Sequence, residues 1–327
     1  MSGLSGGYNV IQFLLGSARR LHTSKILNKM PETSARVLSI QSHVVSGYVG
    51  NKSAVFPMQL LGIEVDFINS VQFSNHTGYK AFKGQILTEN DLTDLVDGLS
   101  ANDIDVYSHL LTGYIGSESF LKNIIKVVEH LKQKNPGLVY VCDPVMGDNG
   151  NLYVPEELVP IYKDSVVKLA DIITPNLFEL QLLTDISVKT AEDVWKAIDI
   201  LHKRGVKNVI VSSVEIPNQP NFLNVFASSS KGENTEKYCL EIPKLPIAFT
   251  GSGDLFAALI LSWMHISNSN LKQSLENTIA SLHAVLKRTL EATQGKPLTA
   301  FNTELKLLQS KRDIEEPIVS FKATRVL

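Results

Sequence analysis

The sequence has little cysteine and no long hydrophobic run. Its two cysteines, Cys142 and Cys239, lie far apart without a CxxC or other metal-ligand spacing. This disfavours a disulfide framework and a structural zinc site, and it favours a reducing, intracellular compartment. The most apolar stretch, residues 255–266, is shorter than the roughly 18 to 20 residues that a spanning helix needs. The sequence therefore predicts a soluble protein without a membrane span.

An excess of charge of either sign is also missing. Lys and Arg number 31 against 33 for Asp and Glu. Nucleic acids and anionic membranes are bound through large positive fields, so we expect neither as a partner, and any phosphate binding must be local. The 44% hydrophobic and 20% charged content is that of an ordinary globular chain, and one large α/β domain accounts for the length.

Carboxylates are absent from the first 31 residues. The basic residues of this segment are Arg19, Arg20, Lys25 and Lys29. Such a composition suits a mitochondrial transit peptide, and the alternatives are a disordered extension or a start at Met30 that gives a cytosolic product. We expect an N-terminal extension over residues 1–35 and a single domain over residues 36–327, in a cytoplasmic protein with a mitochondrial form possible through residues 1–30.

From residue 36 onward, short β-rich runs alternate with longer helical patterns. This alternation predicts βαβ units that build a mostly parallel sheet. A helix is expected over residues 118–134, where apolar side chains recur at helical spacing before Asn135-Pro136-Gly137 ends it. The predicted strands are residues 37–41, 64–69, 106–112, 138–143, 171–174 and 208–212.

The pattern changes after residue 213. Residues 216–238 are polar except for a strand-like run at 222–227, which predicts hairpins at the edge of the sheet. Two helices are predicted to follow, over residues 252–265 and 271–292, before a polar tail.

The strongest local signal is a turn of small residues that opens directly into an apolar helix, FTGSGDLFAA at residues 249–258. At such a helix start, free backbone N–H groups and the positive end of the helix dipole converge, and glycines let an anion approach the main chain. Asp254 lies in the first turn. It can cap the helix, as such residues commonly do, or direct its carboxylate at a substrate hydroxyl.

Two better-known phosphate motifs nearly match and then fail. A Walker loop requires Gly where Asn51 precedes Lys52, and a dinucleotide fingerprint requires a small residue where Phe256 stands. The glycine turn also lies in the last third of the chain, whereas a dinucleotide fingerprint normally opens the first βαβ unit. A P-loop enzyme and a Rossmann dehydrogenase are therefore weak interpretations.

Polar residues follow several of the predicted strands. CDPVMGD at 142–148 places two carboxylates where ligands bind in open α/β sheets, which suits Mg²⁺ held with nucleotide phosphates, although a plain turn is the alternative. DIITPNLFE at 171–179 ends a strand, and helix capping explains its polar residues equally well. The loops at 39–51 and 70–79 suit a small polar ring or an ordinary polar surface. The histidines show no paired-ligand spacing, so we expect no catalytic transition metal.

Taken together and in order, these segments resemble the eukaryotic pyridoxal kinases of the ribokinase-like superfamily. The resemblance is carried by SIQSH, NSVQFSNHTGY, LTGY, CDPVMGD, IITPN and GSGDLFAA, and it extends from about residue 36 to the C-terminus. It implies a three-layer α/β/α ribokinase-like fold with a central, mostly parallel sheet. The site would run along the C-terminal edge of the strands, with ATP and a B6 vitamer as ligands and a homodimer as the assembly.

The resemblance also assigns roles to individual residues. Asp254 would take the proton from the 5′-hydroxyl of pyridoxal, and the amides of Gly251, Ser252 and Gly253 would form the anion hole. The residues expected around the B6 ring, beside Asp254, are Ser42, Val49, Phe73, His76, Thr77 and Tyr114. The residues expected at ATP are Asp143, Asn176, Glu179, Ser212, Ser213, Leu245, Pro246, Ile247, Phe249, Ser252 and Gly253.

Cations are implied as well. The resemblance predicts Mg²⁺ or Zn²⁺ with ATP and K⁺ or Na⁺ beside it. The metal candidates are Asp148, Asp143, Thr174 and Ser212.

Some positions depart from the family pattern, and two alternatives stay open. The segment 148–153 is short, Ser252 stands where Thr or Ala is common, and Ser212 where Thr is common. The same fold also serves hydroxymethylpyrimidine-type kinases, and a non-catalytic B6 or nucleotide sensor is the alternative from another class.

Overall fold

The computed structural model of the chain describes residues 35–216, 219–232 and 234–326. The predicted extension over residues 1–35 lies outside this part except for Ala35. The division into an extension and a single domain over 36–327 therefore stays a prediction.

A central sheet is assembled from short strands spread along the whole described chain. The strands are β1 Arg36–Val44, β2 Glu64–Phe73, β3 Gly84–Ile86, β4 His109–Thr112, β5 Val139–Cys142, β6 Gly147–Asp148, β7 Asn151–Leu152, β8 Ile172–Ile173, β9 Asn208–Val214, β10 Phe222–Lys231, β11 Asn234–Pro243 and β12 Thr324–Val326. Ten of them form one sheet in the order β12-β11-β10-β9-β8-β5-β4-β1-β2-β3, and β6 pairs with β7.

Helices separate the strands. They are α1 Asn51–Leu60, α2 Glu89–Ala101, α3 Glu118–Lys134, α4 Leu158–Ile161, α5 Val167–Leu169, α6 Leu177–Thr184, α7 Ala191–Lys203, α8 Ser252–Ile266, α9 Leu271–Glu291 and α10 Lys311–Glu315. A π-helical turn, Tyr162–Val166, joins α4 to α5, and a 3-10 turn, Leu308–Ser310, precedes α10.

Strand direction follows the connections. The strands from β2 through β1, β4, β5 and β8 to β9 are parallel, because a helical segment separates each from the next along the chain. At the two edges, β3 and the β10-β11-β12 strands are antiparallel. The mostly parallel sheet and the edge hairpin were both predicted, and both are confirmed.

Side chains on opposite faces of the sheet enter two hydrophobic cores. On β1, Leu38 and Ile40 pack with α2, α3, α6 and α7, whereas Val37 packs on the opposite face with α1, α8 and α9. Alternate residues of a strand point to opposite faces, and a sheet covered on both sides can therefore be apolar throughout. The predicted three-layer α/β/α arrangement is confirmed.

Helix boundaries agree closely with the sequence patterns. The predicted helix at 118–134 coincides with α3, whose N-cap Ser117 accepts a hydrogen bond from the Phe120 amide at 3.3 Å. Beyond its end, the Gly137 amide donates to the Asn135 side chain at 2.9 Å, which closes the predicted turn. The last two long helices, α8 and α9, each differ from their predicted range by one residue.

Candidate active site

The C-terminal ends of the parallel strands bring the predicted polar segments to one edge. Strand β1 lies between β2 and β4, so the chain leaves β1 toward one side of the sheet and later returns on the other. A crevice opens at such a switch point, and ligands of open α/β sheets bind there. Ser42 of β1, Asp143 after β5, Thr174 after β8 and Ser212 of β9 all lie at this edge.

The glycine turn before α8 fits tightly against the loop between β1 and α1. Gly251 is the N-cap of α8 with φ of +81°, and a Cβ atom there would lie 2.0 Å from the carbonyl oxygen of Tyr48. Only glycine combines this backbone conformation with so close an approach. The helix start therefore has no side-chain cap, and its first amides stay available for an anion.

Asp254 does not cap α8. The cap position belongs to Gly251, and the Asp254 carboxylate instead accepts a hydrogen bond from the backbone amide of Gly50. Burial raises the pKa of Asp254 to about 6, and the Gly50 hydrogen bond limits that rise. A carboxylate that titrates near neutral pH can accept a proton from a hydroxyl more effectively than an ordinary exposed Asp.

A second carboxylate lies close to the first. Asp143 is buried, and a Cβ atom on Gly253 would lie 3.9 Å from its Oδ2. Burial raises the pKa of Asp143 well above its ordinary value, and the nearby charges of Glu179 and Asp254 raise it further. The Thr174 hydroxyl opposes this effect by donating a hydrogen bond of 3.1 Å to Asp143 Oδ1.

These carboxylates form an acidic site that suits a cation. Within the described residues, no Lys or Arg makes an ion pair with Asp143, Glu179 or Asp254. The same part of the chain holds no group of three His, Cys, Asp or Glu placed to bind a metal by itself. That combination fits Mg²⁺, which usually takes one or two carboxylates and completes its shell with water and substrate phosphates.

Glu179 and Asn176 form the capping box that the sequence allowed. The Asn176 side chain accepts from the Glu179 amide at 2.9 Å, and Glu179 accepts from the Asn176 amide at 2.9 Å. Glu179 also accepts from the amide of Met146 at 2.9 Å, and the Asn176 side chain donates to the Gly147 carbonyl at 2.7 Å. Both residues therefore hold the β6-β7 hairpin that presents Asp148.

Apart from Asp143 and the capping box, the predicted nucleotide residues come from the end of β9, from the loop before α8 and from the start of α8. Ser212 and Ser213 are half-buried near the end of β9, where the Ser212 amide donates to the Pro175 carbonyl at 3.0 Å. In the loop before α8, Leu245, Ile247 and Phe249 are half-buried and Pro246 is exposed. Ser252 donates to the Phe249 carbonyl at 3.2 Å, which fixes the end of this loop.

The residues expected around the B6 ring come from the ends of β1 and β2 and from the loops that follow β1, β2 and β4. The backbone of Ser42 lies against Gly50, where a Cβ atom would be 1.9 Å from the Ser42 carbonyl oxygen. Ser70 donates to the Tyr114 carbonyl at 3.0 Å and so joins the loop after β4 to β2. In the loop between β2 and β3, His76 is buried while Thr77 is exposed.

Phe73 and Val49 complete this predicted set. The ring of Phe73 lies 5.1 Å from that of Phe82, and Val49 is buried beside the Gly251 turn. The structure thus brings the predicted residues to one edge of the sheet, with Thr77 the most open to solvent.

Sequence patterns missed several residues that build this edge. Gly50 donates to Asp254, and Asn51 anchors α1 by accepting from Ser39 at 2.7 Å and donating to the Ile68 carbonyl at 2.9 Å. Glu304, in the polar tail, contacts two of the loops. The sequence around Gly50 and around Glu304 contains no local pattern that predicts such long-range contacts.

Comparison with known proteins identifies close relatives. A family model described as Phosphomethylpyrimidine kinase matches residues 69–299. The pyridoxal kinase of Arabidopsis thaliana is 50% identical over 300 residues, which cover 90% of this chain and 96% of the relative. The pyridoxal kinase of Homo sapiens is 46% identical over 309 residues, which cover 90% and 99% of the two chains.

Solved structures give the same result. The pyridoxal kinase of Leishmania donovani in complex with ADP and pyridoxamine superposes with a TM-score of 0.84 at 33% identity, covering 90% of this chain and 100% of its own. The pyridoxal kinase of Entamoeba histolytica gives a TM-score of 0.80 at 30% identity, with 90% and 100% coverage. The fold is therefore the ribokinase-like α/β fold of these enzymes.

Proposed function

This chain belongs to the pyridoxal kinase family, and on that premise we propose that it phosphorylates the 5′-hydroxyl of pyridoxal with ATP, using Asp254 as the base. Pyridoxine and pyridoxamine are the related substrates, since the Leishmania donovani enzyme is described with ADP and each of these vitamers. The product from pyridoxal is pyridoxal 5′-phosphate. The observation that carries the proposal is the uncapped start of α8 with Asp254 in its first turn.

The reaction needs positioning and charge stabilisation more than covalent chemistry. The 5′-oxygen attacks the γ-phosphorus, the bond from the γ-phosphorus to its bridging oxygen breaks, and ADP leaves with the electron pair. Asp254 accepts the hydroxyl proton. The amides of Gly251, Ser252 and Gly253 at the start of α8 stabilise the negative charge on the equatorial oxygens.

The base is suited to this task by its surroundings. Burial raises the pKa of Asp254 to about 6, so it is mostly ionised at neutral pH yet holds a proton better than an exposed Asp. The Gly50 amide that donates a hydrogen bond to Asp254 belongs to the loop after β1, and a Cβ atom on Gly50 would lie 1.9 Å from the carbonyl oxygen of the ring residue Ser42.

A divalent cation fits the acidic site beside ATP. Asp148 and Asp143 would hold Mg²⁺ or Zn²⁺, which supplies positive charge to the phosphates when bound. Asp143, Thr174 and Ser212 are the candidates for K⁺ or Na⁺, because oxygen atoms of all three lie at the ends of the neighbouring strands β5, β8 and β9. The absence of a Lys or Arg partner for Asp143 among the described residues supports both assignments.

The remaining ATP residues fall into two groups. Ser212 and Ser213 flank the phosphates from β9, and the loop with Leu245, Pro246, Ile247 and Phe249 would cover the adenine. Asn176 and Glu179 act on ATP through the hairpin they hold, since their polar atoms are engaged by the backbone of residues 146–147 and by each other.

A homodimer is part of the proposal. Phe67, Phe82 and Ile86 are large, exposed apolar side chains on and near the β2-β3 edge. An exposed apolar edge strand is commonly covered by another chain. Sedimentation of the purified protein tests this, and the exchange of Phe67 and Ile86 for Ser would give monomers.

Localisation rests on the sequence, because residues 1–34 lie outside the described part of the chain. We propose a cytosolic protein with a mitochondrial form directed by residues 1–30. Fluorescent fusions of the full chain and of a chain that starts at Met30 test this, since only the full chain would enter mitochondria.

The decisive assay measures ATP-dependent formation of pyridoxal 5′-phosphate with Mg²⁺ and K⁺ present. Hydroxymethylpyrimidine competes in the same tube, because the matching family model makes a kinase for that substrate the second candidate. Asp254→Asn should keep pyridoxal binding and lose about 10² to 10⁴ in kcat, the usual contribution of a general base. Tight binding without turnover by the unaltered chain would instead indicate a sensor.

A further inference from the structure

Glu304 contacts two separate loops at the β1 side of the crevice, although it belongs to the segment between α9 and α10. Its Oε2 accepts a hydrogen bond from the Tyr48 amide at 2.8 Å, and its Oε1 accepts one from the Tyr79 hydroxyl at 2.9 Å. The same Oε1 lies 3.3 Å from Nε2 of His76. Both Glu304 and His76 are buried, with 8% and 7% of their surface exposed.

The loop between β1 and α1 is shaped to receive this carboxylate. Gly47 has φ of +97°, and a Cβ atom there would lie 2.2 Å from Glu304 Oε1. A side chain at position 47 would therefore displace the carboxylate. The left-handed backbone of Gly47 also favours glycine at this position, so the loop conformation and the space for the carboxylate depend on the same residue.

The hydrogen bonds of His76 indicate which ring nitrogen carries the proton. The Gly78 amide donates to Nδ1 of His76 at 3.1 Å, so that nitrogen accepts and has no hydrogen. The ring proton is then on Nε2, which faces Glu304. A Cβ atom on Gly78 would lie 2.9 Å from the ring, so the turn that supplies this amide also depends on glycine.

Glu304 keeps its negative charge in this setting. Burial alone would raise its pKa, but the contact with His76, the Tyr48 amide and the Tyr79 hydroxyl together hold the pKa of Glu304 below its ordinary value. Burial and the neighbouring Glu304 raise the pKa of Tyr79 to about 12, so Tyr79 remains a hydrogen-bond donor. Within the described residues, neither Lys nor Arg makes an ion pair with Glu304.

The same short loop reaches Asp254. The Tyr48 amide is bound by Glu304, the Tyr48 carbonyl lies against Gly251, and the Gly50 amide binds Asp254. Residues 47–50 therefore join the Glu304 carboxylate at one end to the base at the other.

We propose that Glu304 is a positioning residue: it fixes His76 as the Nε2–H tautomer and holds residues 47–50 and 76–79 together around the vitamer ring. The proposal deepens the proposed function and rests on it for the identity of the ring. Glu304 touches neither the vitamer nor ATP in this assignment. It acts through His76, Tyr79 and the loop that orients Asp254.

Glu304→Gln tests the proposal, because it keeps the volume of the side chain and removes its charge. The side-chain NH₂ of the introduced glutamine cannot accept a hydrogen bond, yet it must lie against at least one of the three donors, which are the Tyr48 amide, the Tyr79 hydroxyl and His76 Nε2. At least one hydrogen bond to the carboxylate is therefore lost, and the others lose their charge. We expect KM for pyridoxal to rise about tenfold or more, as the loss of a hydrogen bond to a charged group implies. KM for ATP should stay within about twofold, because the hydrogen-bond partners of Glu304 all lie on the vitamer side of the crevice.

Glu276→Gln is the matched control. Glu276 is also buried, and it holds the C-terminal segment by accepting from the Ala323 amide at 3.0 Å. It lies on α9 and makes no bond to either loop. This variant should change thermal stability while leaving KM for pyridoxal unchanged. An equal rise of that KM in both variants would overturn the proposal.

A second measurement does not depend on catalysis. In protein labelled with ¹⁵N-histidine, two-bond correlations report which ring nitrogen is protonated, and His76→Gln identifies the signals of His76. We expect an unprotonated Nδ1 and a protonated Nε2 in the unaltered chain, with a mixture of tautomers in Glu304→Gln. A proton on Nδ1 of the unaltered chain would refute the assignment even if the chain proved inactive as a kinase or if Glu304→Gln failed to fold.

Discussion

The Ser53 hydroxyl donates a hydrogen bond of 3.0 Å to the carbonyl oxygen of Gly251. Ser53 lies in the first turn of α1, and Gly251 is the N-cap of α8. The two helix starts that frame the crevice are thus joined directly, in addition to the bond between Gly50 and Asp254. The position of the anion hole therefore depends on α1, although no residue of α1 itself contacts the phosphate in the proposed assignment.

Ser53→Ala should weaken catalysis without unfolding the protein. A neutral hydrogen bond contributes about 1 kcal/mol, so we expect kcat to fall up to about tenfold. The control is Ser262→Ala, which removes a buried hydroxyl that donates to Ala258 within α8, away from the crevice. A similar fall of kcat in both variants would mean that general loosening of α8, and not the attachment to α1, limits the rate.

The pH dependence of kcat/KM should show an acidic limb near pH 6. Burial raises the pKa of Asp254 to about 6, and the base must be ionised to accept a proton. Activity is therefore full above that value and falls about tenfold for each pH unit below it. The residual activity of Asp254→Asn should lack this limb. A limb near pH 4 in the unaltered chain would assign an ordinary, solvated carboxylate as the base.

Thr174→Val tests the monovalent cation site. The substitution keeps the shape of the side chain and removes the hydroxyl that donates to Asp143. Because this oxygen is also a proposed cation ligand, the concentration of K⁺ needed for half-maximal rate should rise roughly tenfold. Thr184→Val, which removes another buried hydroxyl that bonds only to the Leu180 carbonyl, is the control. If Thr174→Val needed the same K⁺ concentration as the unaltered chain, Thr174 would not be a ligand of the monovalent cation.

Local patterns predicted the mostly parallel sheet and its long helices, whereas the three layers and the roles of the site residues came from the family resemblance, and those roles stay a prediction. Apolar periodicity located α3, α8 and α9 to within one residue, and the polar motifs follow strands whose ends must meet at one edge of a parallel sheet. The edge strands β3 and β12 were not predicted. Each has three residues, so neither provides enough alternation for a pattern.

Two other differences involve contacts between distant segments. The predicted strand at 106–112 begins only at His109, and the Tyr107 hydroxyl ahead of it donates to Asp66 of β2 at 2.9 Å. Glu304 had no signal in the polar tail, since its partners Tyr48 and Tyr79 are brought to it by the sheet. Such residues are recognised only once the strand order is known.

Gly147→Ala should impair use of MgATP through the hairpin that presents Asp148. A Cβ atom at position 147 would lie 2.2 Å from the Asn151 carbonyl oxygen and 2.8 Å from the ring of Phe178, so the β6-β7 pairing must open. We expect KM for MgATP to rise about tenfold or more with little change in KM for pyridoxal, because Asp148 loses its position while the β1 side of the crevice is untouched.

The matched control for that substitution is Gly98→Ala in the exposed part of α2. No atom lies within 4 Å of a Cβ placed there. Alanine in the interior of a helix raises the free energy of unfolding by roughly 0.5 to 1 kcal/mol relative to glycine, so this variant should be more stable and equally active. If Gly147→Ala left KM for MgATP unchanged while lowering stability, the hairpin would serve only to cover the core, and Asp148 could not be the ligand that positions the divalent cation.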